Sequence, residues 1–316
     1  MTEKVPRFAI MGSGGVGGYF GAVLARAGHD VTFIARGDHL NRMVKDGLSV
    51  QTPSESFHLP VTATEDPAQV GPVDFVLFAV KLWDTERAAA QIGPMLGADS
   101  AIVSLQNGVA SGKILIEHHG AHHVFGGVAE ISSVMDRPGR ITCHSPFARI
   151  FFGEMGAPSP ARSAALSKAF QTAGIEHTHS PEIDERIWSK FVFLVGLSGI
   201  TASTRKPIGE VRETPEGRAN LMRLMDETHQ IATAKGILLP ADVLPNLMAF
   251  IDSLPPKVRA SMAEDLDAGR PLELDWLSGA VSRMGQDLGI PTPANDAIVS
   301  TLRHYAGGSR GRSQTT

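Results

Sequence analysis

Phe8-Ala9-Ile10-Met11 is a short continuous apolar run that stops at Gly12, and beyond it Tyr19, Phe20, Val23 and Leu24 recur at helical spacing as far as Gly28. The pattern predicts a strand, a glycine-rich turn and a helix closed by Gly28 at its C-cap. Asp30 to Ala35 reads as a second strand, which completes a βαβ unit of about the usual 30 residues. The alternation then recurs, with Asp74 to Val80 as a buried strand, Asp84 to Met95 as a helix and Ala101 to Leu105 as another strand. Continuous apolar strands separated by helices predict a parallel, doubly wound sheet.

Between Gly126 and Gly153 the pattern changes to alternating apolar and polar positions around Arg137-Pro138-Gly139, which predicts an antiparallel hairpin appended to that sheet. A helix over Ala161 to Ala173 and a strand over Ile175 to His179 complete the first half. Ser180-Pro181, an N-cap followed by proline at the first helical position, marks the expected seam. Strand signals stop there. Thr214-Pro215 and Thr292-Pro293 open helices in the same way, and Leu221, Leu224, Met225, Thr228 and Ile231 mark one helical face. The fold class expected is therefore α/β: a Rossmann-like doubly wound domain over 1–180, an all-helical domain over 181–306, and a Gly/Ser/Arg-rich tail over 307–316 expected to be disordered.

Composition narrows the function classes. The 316 residues fit two domains at about 150 residues each. With 29 Lys and Arg against 33 Asp and Glu the net charge is −4, and aromatics are 6%. A basic surface for a nucleic-acid backbone is not in this composition. Cys143 is the single cysteine, which excludes an internal disulfide and a cysteine-based zinc cluster and suits a reducing cytoplasm. The most apolar run, Phe191 to Ile200, falls short of the roughly 20 residues of a spanning helix, so no membrane partner is expected. Six glycines between Gly12 and Gly21 break any signal-peptide core near the N-terminus.

That glycine cluster carries the strongest chemical signal. Gly12-Ser13-Gly14-Gly15-Val16-Gly17 fits G-x-G-x-x-G after a strand and at the start of a helix, the context in which backbone amides and a helix N-terminus hold a pyrophosphate. An NAD site places Asp or Glu at the end of the second strand, whereas this strand ends Ile34-Ala35-Arg36. A guanidinium there pairs with a 2′-phosphate, so Arg36 favours NADP unless it is simply solvated.

Other candidates are weaker taken singly. Ile183, Ile187, Lys190 and Leu194 fall on one helical stripe, so Lys190 either serves as a general acid or base of lowered pKa or packs its stem and reaches water with its ammonium. Lys81 and Asn107 each follow an apolar strand at the carboxyl edge where doubly wound sheets bind ligands; the alternatives are a solvated lysine and a turn-forming Asn-Gly. Ser261 lies in a helical stretch, and Glu273 opens another, where a glutamate ordinarily complements the helix dipole. His118, His119, His122 and His123 lack an accompanying carboxylate or cysteine, so no metal site is expected, and the run is read as a helix end and loop.

Taken in order, the fingerprint Gly12–Gly17, Lys81 after its strand, Leu105-Gln106-Asn107-Gly108, Trp188-Ser189-Lys190, and Ser261-Met262 with Glu273 twelve residues on make the chain similar to the ketopantoate reductase (2-dehydropantoate 2-reductase) family over nearly its whole length. The resemblance implies NADPH-dependent reduction of a 2-oxo acid between a Rossmann and a helical domain. It implies Lys190 as general acid, Asn107 and Ser261 as holders of substrate or nicotinamide, Glu273 as acceptor of a substrate hydroxyl, Lys81 as support for cofactor and substrate, and Arg36 as the 2′-phosphate contact.

One departure stands out. Four residues after the lysine, pantoate-making members carry an asparagine, and here the position is Leu194. Leucine cannot hydrogen-bond a hydroxyl or carboxylate, which opens the alternative of a larger or more apolar 2-oxo or 2-hydroxy acid. A non-catalytic NADP-binding sensor is the alternative of a different class. The partner expected is a small-molecule 2-oxo acid, and a homodimer is left open.

Overall fold

A computed structural model describes residues 5–308. The expected tail over 307–316 lies outside the described residues from 309 on, while Gly307 and Gly308 close a turn in which the Gly308 amide donates to the Tyr305 carbonyl at 2.9 Å. The chain divides into two compact units between Asp184 and Glu185.

The first unit contains β1 (Arg7–Met11), α1 (Gly15–Arg26), β2 (Asp30–Ile34), α2 (Gly37–Asp46), β3 (Leu48–Gln51), β4 (Ser56–Leu59), β5 (Thr62–Thr64), β6 (Val73–Phe78), α3 (Thr85–Gln91), β7 (Leu96–Ser104), α4 (Ser111–His119), β8 (Val124–Glu130), β9 (Ser133–Arg137), β10 (Arg140–Cys143), β11 (Arg149–Glu154), α5 (Pro160–Thr172) and β12 (Glu176–His179). Eight strands form one sheet in the order β12-β11-β8-β7-β6-β1-β2-β5. Its pairs are parallel except β11 with β8. Both faces are covered, which is why Phe8–Met11 of β1, Phe75–Phe78 of β6 and Ala101–Val103 of β7 read as unbroken apolar runs. Phe8, Ile10, Phe33, Phe75 and Leu77 point into one core layer, while Ala9, Val76, Phe78 and Ile102 point into the other.

The expected hairpin exists as β9 and β10, but it is not appended to the large sheet. It joins β3 and β4 in a separate four-stranded sheet, β4-β3-β10-β9, through a parallel pairing of β10 with β3. Partners about 90 residues apart leave no mark on local periodicity, so the sequence pattern identifies the hairpin and not its neighbour.

The second unit is helical among its described residues: most of α6 (Ile183–Thr204), then α7 (Ile208–Arg212), α8 (Pro215–Ala234), α9 (Val243–Ser253), α10 (Ser261–Asp267), α11 (Ser278–Leu288) and α12 (Pro293–Leu302). Helix α6 begins at Ile183 and not at Pro181. Its first residues belong to the first unit, where a Cβ on Gly153 would lie 3.0 Å from Ile183 Cβ. Its 22 residues are long and apolar enough to cross a membrane by length and composition, yet 61% of that window is buried inside the protein, as in a core helix. Thr214 caps α8 by accepting the Gly217 amide at 3.1 Å. At α12 the cap comes from another helix: buried Glu227 of α8 accepts the amides of Ala294 and Asn295 at 2.7 and 2.9 Å.

Candidate active site

In the first unit, strand β1 sits where the chain order reverses, with β2 on one side and β6 on the other. Ligands bind at the carboxyl ends of strands at such a point. Gly12 follows β1 with φ +99°, and a Cβ there would lie 2.6 Å from the Val80 nitrogen. Glycine at 12 therefore permits both the turn and the close approach of the segment after β6. That segment is bonded back to β1, Ala79 N–H donating to the Met11 carbonyl at 2.8 Å. A Cβ on Gly17 would run into the Gly12 carbonyl, so helix and loop pack closely. Gly14 differs from both: a Cβ there would meet nothing within 4 Å, and it is the open face of the loop. Ser13 is buried, its hydroxyl donating to the Ile34 carbonyl at 2.9 Å. Val16 lies half-buried in the first turn of α1, and Gly15 packs against Ser133 of β9.

Arg36 is the exposed N-cap residue of α2, just past the end of β2. Its guanidinium donates to Asp84 at 3.1 Å, and Asp84 also pairs with Arg87. Sequence reasoning missed this carboxylate, since no local signal relates position 84 to 36. Lys81 is exposed after β6, its ammonium 5.6 Å from the Trp83 ring centre. Just past the adjacent strand β7, Gln106 donates from Nε2 to the Val80 carbonyl at 2.8 Å and to the Thr85 hydroxyl at 2.9 Å, tying the ends of β6 and β7 together. The buried Oε1 of Gln106 has no partner among the described residues. Asn107 is half-buried beside it, and Gly108 at φ +81° makes the turn.

Gly12–Gly17, Arg36, Lys81 and Asn107 thus follow carboxyl ends of mutually parallel strands of the same sheet. This arrangement fits a dinucleotide: an open glycine at the N-terminus of the 12-residue α1, a cation at the end of β2 and an unpartnered carboxamide oxygen at the end of β7.

In the second unit Lys190 lies on α6. The helix's buried side runs through Trp188, Phe191, Val192 and Val195, whereas Ile187, Lys190 and Leu194 are half-buried on its flank. The stripe drawn from Ile183 is thus not the core stripe, and Lys190 does not sit at the centre of the apolar face. Ser261 is the exposed first residue of α10. Glu273 is buried, only 6% exposed, at the first position of the 3-10 turn Glu273–Trp276. A carboxylate this buried is held by polar partners rather than serving only as a dipole complement.

The histidine run spans the end of α4 and the next turn. His118 pairs with Glu86 at 3.2 Å, while His119 and His123 donate to the carbonyls of Ala89 and Ser100, each at 2.7 Å. Among the described residues no group of three or more His, Cys, Asp or Glu is placed to hold a metal.

Two family models match the chain: "Ketopantoate reductase PanE/ApbA" over residues 8–157 and "Ketopantoate reductase PanE/ApbA C terminal" over residues 182–306. An uncharacterized oxidoreductase of Bacillus subtilis (strain 168) is 28% identical, covering 95% of this chain and 98% of its own. A 2-dehydropantoate 2-reductase of Halobacterium salinarum is 30% identical over 94% of this chain and 98% of its own. A crystal structure of a PanE/ApbA family ketopantoate reductase from Ralstonia eutropha JMP134 superposes with a TM-score of 0.87 at 32% identity, covering 95% of this chain and 98% of the other.

Proposed function

The chain belongs to the ketopantoate reductase family and is an oxidoreductase acting on a CH–OH group, and from that premise we propose that it uses NADPH to reduce a 2-oxo acid to the 2-hydroxy acid, 2-dehydropantoate to pantoate in the first instance. The observation that carries this reading is the glycine loop at the strand-order reversal together with Arg36, and no acid, at the end of β2. Backbone amides at the start of α1 take the pyrophosphate, and the Arg36 guanidinium takes the 2′-phosphate. Asp84 orients that guanidinium through one nitrogen and leaves its other donors for the phosphate.

When bound, the reduced nicotinamide supplies the hydride that the ketone carbon takes up. Lys190 hydrogen-bonds the ketone oxygen through its ammonium, stabilises the charge developing there and transfers a proton to it, so that the alkoxide leaves as a hydroxyl and the amine recovers its proton from water. Glu273 accepts a hydrogen bond from a substrate hydroxyl, Ser261 and Asn107 hold substrate or nicotinamide, and Lys81 supports the anionic end of either. The reaction is placed in the cytoplasm, where NADPH and a free thiol such as Cys143 are both at home.

A second reading rests on Leu194. It lies half-buried on the same flank of α6 as Lys190, one turn on, and offers a substrate apolar contact in place of a hydrogen bond. A branched or aromatic 2-oxo acid then outranks ketopantoate. Both readings are tested by following NADPH absorbance with purified protein against ketopantoate and a panel of branched and aromatic 2-oxo acids. Turnover of any of them supports the class, and the ranking decides between the readings. Tight NADPH binding without oxidation by any member would instead support a sensor.

A further inference from the structure

His39, the third residue of α2, is buried and is bonded at both ring nitrogens. Its Nε2 lies 2.8 Å from the carbonyl of Ser13 in the glycine loop. The Gly139 amide, in the turn between β9 and β10, donates to its Nδ1 at 2.9 Å. The tautomer follows from the partners. A carbonyl only accepts and an amide N–H only donates, so the proton is on Nε2 and Nδ1 is bare. Burial pushes the imidazole's pKa below its ordinary value, in keeping with a ring held neutral.

The Ser13 contact bears on the loop's function. In a planar trans peptide the carbonyl of Ser13 and the amide of Gly14 point in opposite directions. A donor that holds the Ser13 carbonyl toward α2 therefore holds the Gly14 amide away from it, and Gly14 is the glycine with open space around it. Ser13 is tethered a second time by its hydroxyl on Ile34. The far side of His39 is fixed as well: Gly139 has φ +77°, a Cβ on it would come within 3.0 Å of Arg42 Cβ, and its carbonyl accepts the Ser49 amide at 3.0 Å. The small sheet also meets α1 directly, Gly18 leaving just enough room for Ile141.

We infer that His39 is a positioning residue for the dinucleotide, a neutral bridge through which the four-stranded sheet sets the orientation of the glycine-loop amides. This rests on the reading of the loop as the cofactor site and assigns that site a support the fingerprint itself does not contain. It also gives the small sheet a task, since its hairpin turn supplies the bridge's outer anchor.

The test combines His39→Leu, which removes both bonds, with His39→Gln, which retains a donor for the Ser13 carbonyl. With folded protein verified by circular dichroism, His39→Leu is expected to raise the Kd of NADPH and of NADH alike by about tenfold, because both carry the pyrophosphate and a loop no longer preorganised binds it less well. His39→Gln stays within about threefold of wild type, and the KM of the 2-oxo acid at saturating cofactor is unchanged in both. An unchanged NADPH Kd in folded His39→Leu overturns the inference, whatever happens to the melting temperature. If His39→Leu does not fold, imidazole 15N shifts of the wild type decide: a proton on Nε2 whose resonance moves when NADPH is added supports the bridge, and a proton on Nδ1 or an unmoved resonance overturns it. Failure of the wild type to bind either dinucleotide would fall on the reading of the loop, and the tautomer would still test the bridge.

Discussion

The glycine loop of the first unit and the lysine region of the second are built from different materials. In the first unit the glycine loop is a backbone site: Gly12 and Gly17 are fixed by neighbours that leave no room for a Cβ, and Ser13 is bonded through both side chain and carbonyl. In the second unit Lys190, Ser261 and Glu273 are side chains presented by three separate helical segments, with surroundings that range from exposed to buried. Substitutions in the first region are therefore expected to alter shape and binding, and those in the second, on the proposed roles, to alter chemistry while the fold stands.

The sharpest way to break that contrast is Lys190→Ala. Losing the proposed proton donor is expected to lower kcat by about 10²- to 10⁴-fold with NADPH Kd unchanged, as read by steady-state rates and fluorescence titration. Parallel loss of affinity would merge the two regions into one. Gly12→Ala is expected to do the reverse and cost about 3 kcal/mol of stability, from a strained φ and a clash with Val80, in a denaturant titration. Arg36→Ala is expected to weaken NADPH about 10- to 100-fold while NADH changes little, and equal losses for the two would remove the 2′-phosphate contact. Gly14→Ala, at the open face, is expected to melt like the wild type yet bind NADPH about tenfold more weakly. That result would separate loop shape from loop access.

The smallest effect is one of pH, and it belongs to the first unit alone. Burial by itself would raise the Glu154 carboxyl, but hydrogen bonds from Ser163, His179 and Ser159 outweigh it and hold the pKa at about 2, against an ordinary 4.5. A carboxylate depressed in the folded state stabilises fully above its unfolded value, and that contribution is lost as pH falls from about 4.5 through about 2. Melting curves at pH 7 and pH 3 are expected to show Glu154→Gln less stable than wild type at pH 7 by about 1 kcal/mol, the gap narrowing in acid.

The same division of materials decides what could be read from the sequence. The glycine loop was legible because backbone constraints appear as residue types at fixed spacing, and the strands around it because burial on both faces makes them unbroken apolar runs. The small sheet was only half legible, since β10 pairs with β3 across a long stretch of chain. Asp84 beside Arg36 and His39 under Ser13 were not legible at all, each being a contact between distant segments with no periodic signal. Lys190 was found from helical phase but placed one step round the helix, on the core stripe, because Trp188, Phe191 and Val195 define the buried side and the stripe drawn from Ile183 does not. The role proposed for it, like those proposed for Ser261 and Glu273, rests on the order of motifs along the chain.

Hydride transfer from NADPH to the carbonyl carbon of a 2-oxo acid is tested most directly by incubating the wild-type protein with ketopantoate and NADPH dideuterated at nicotinamide C4 and weighing the product. The expected product is a 2-hydroxy acid one mass unit heavier than pantoate, with the deuterium on C2. Unlabelled product, or cofactor that binds and is never oxidised by ketopantoate or any other 2-oxo acid, would contradict it.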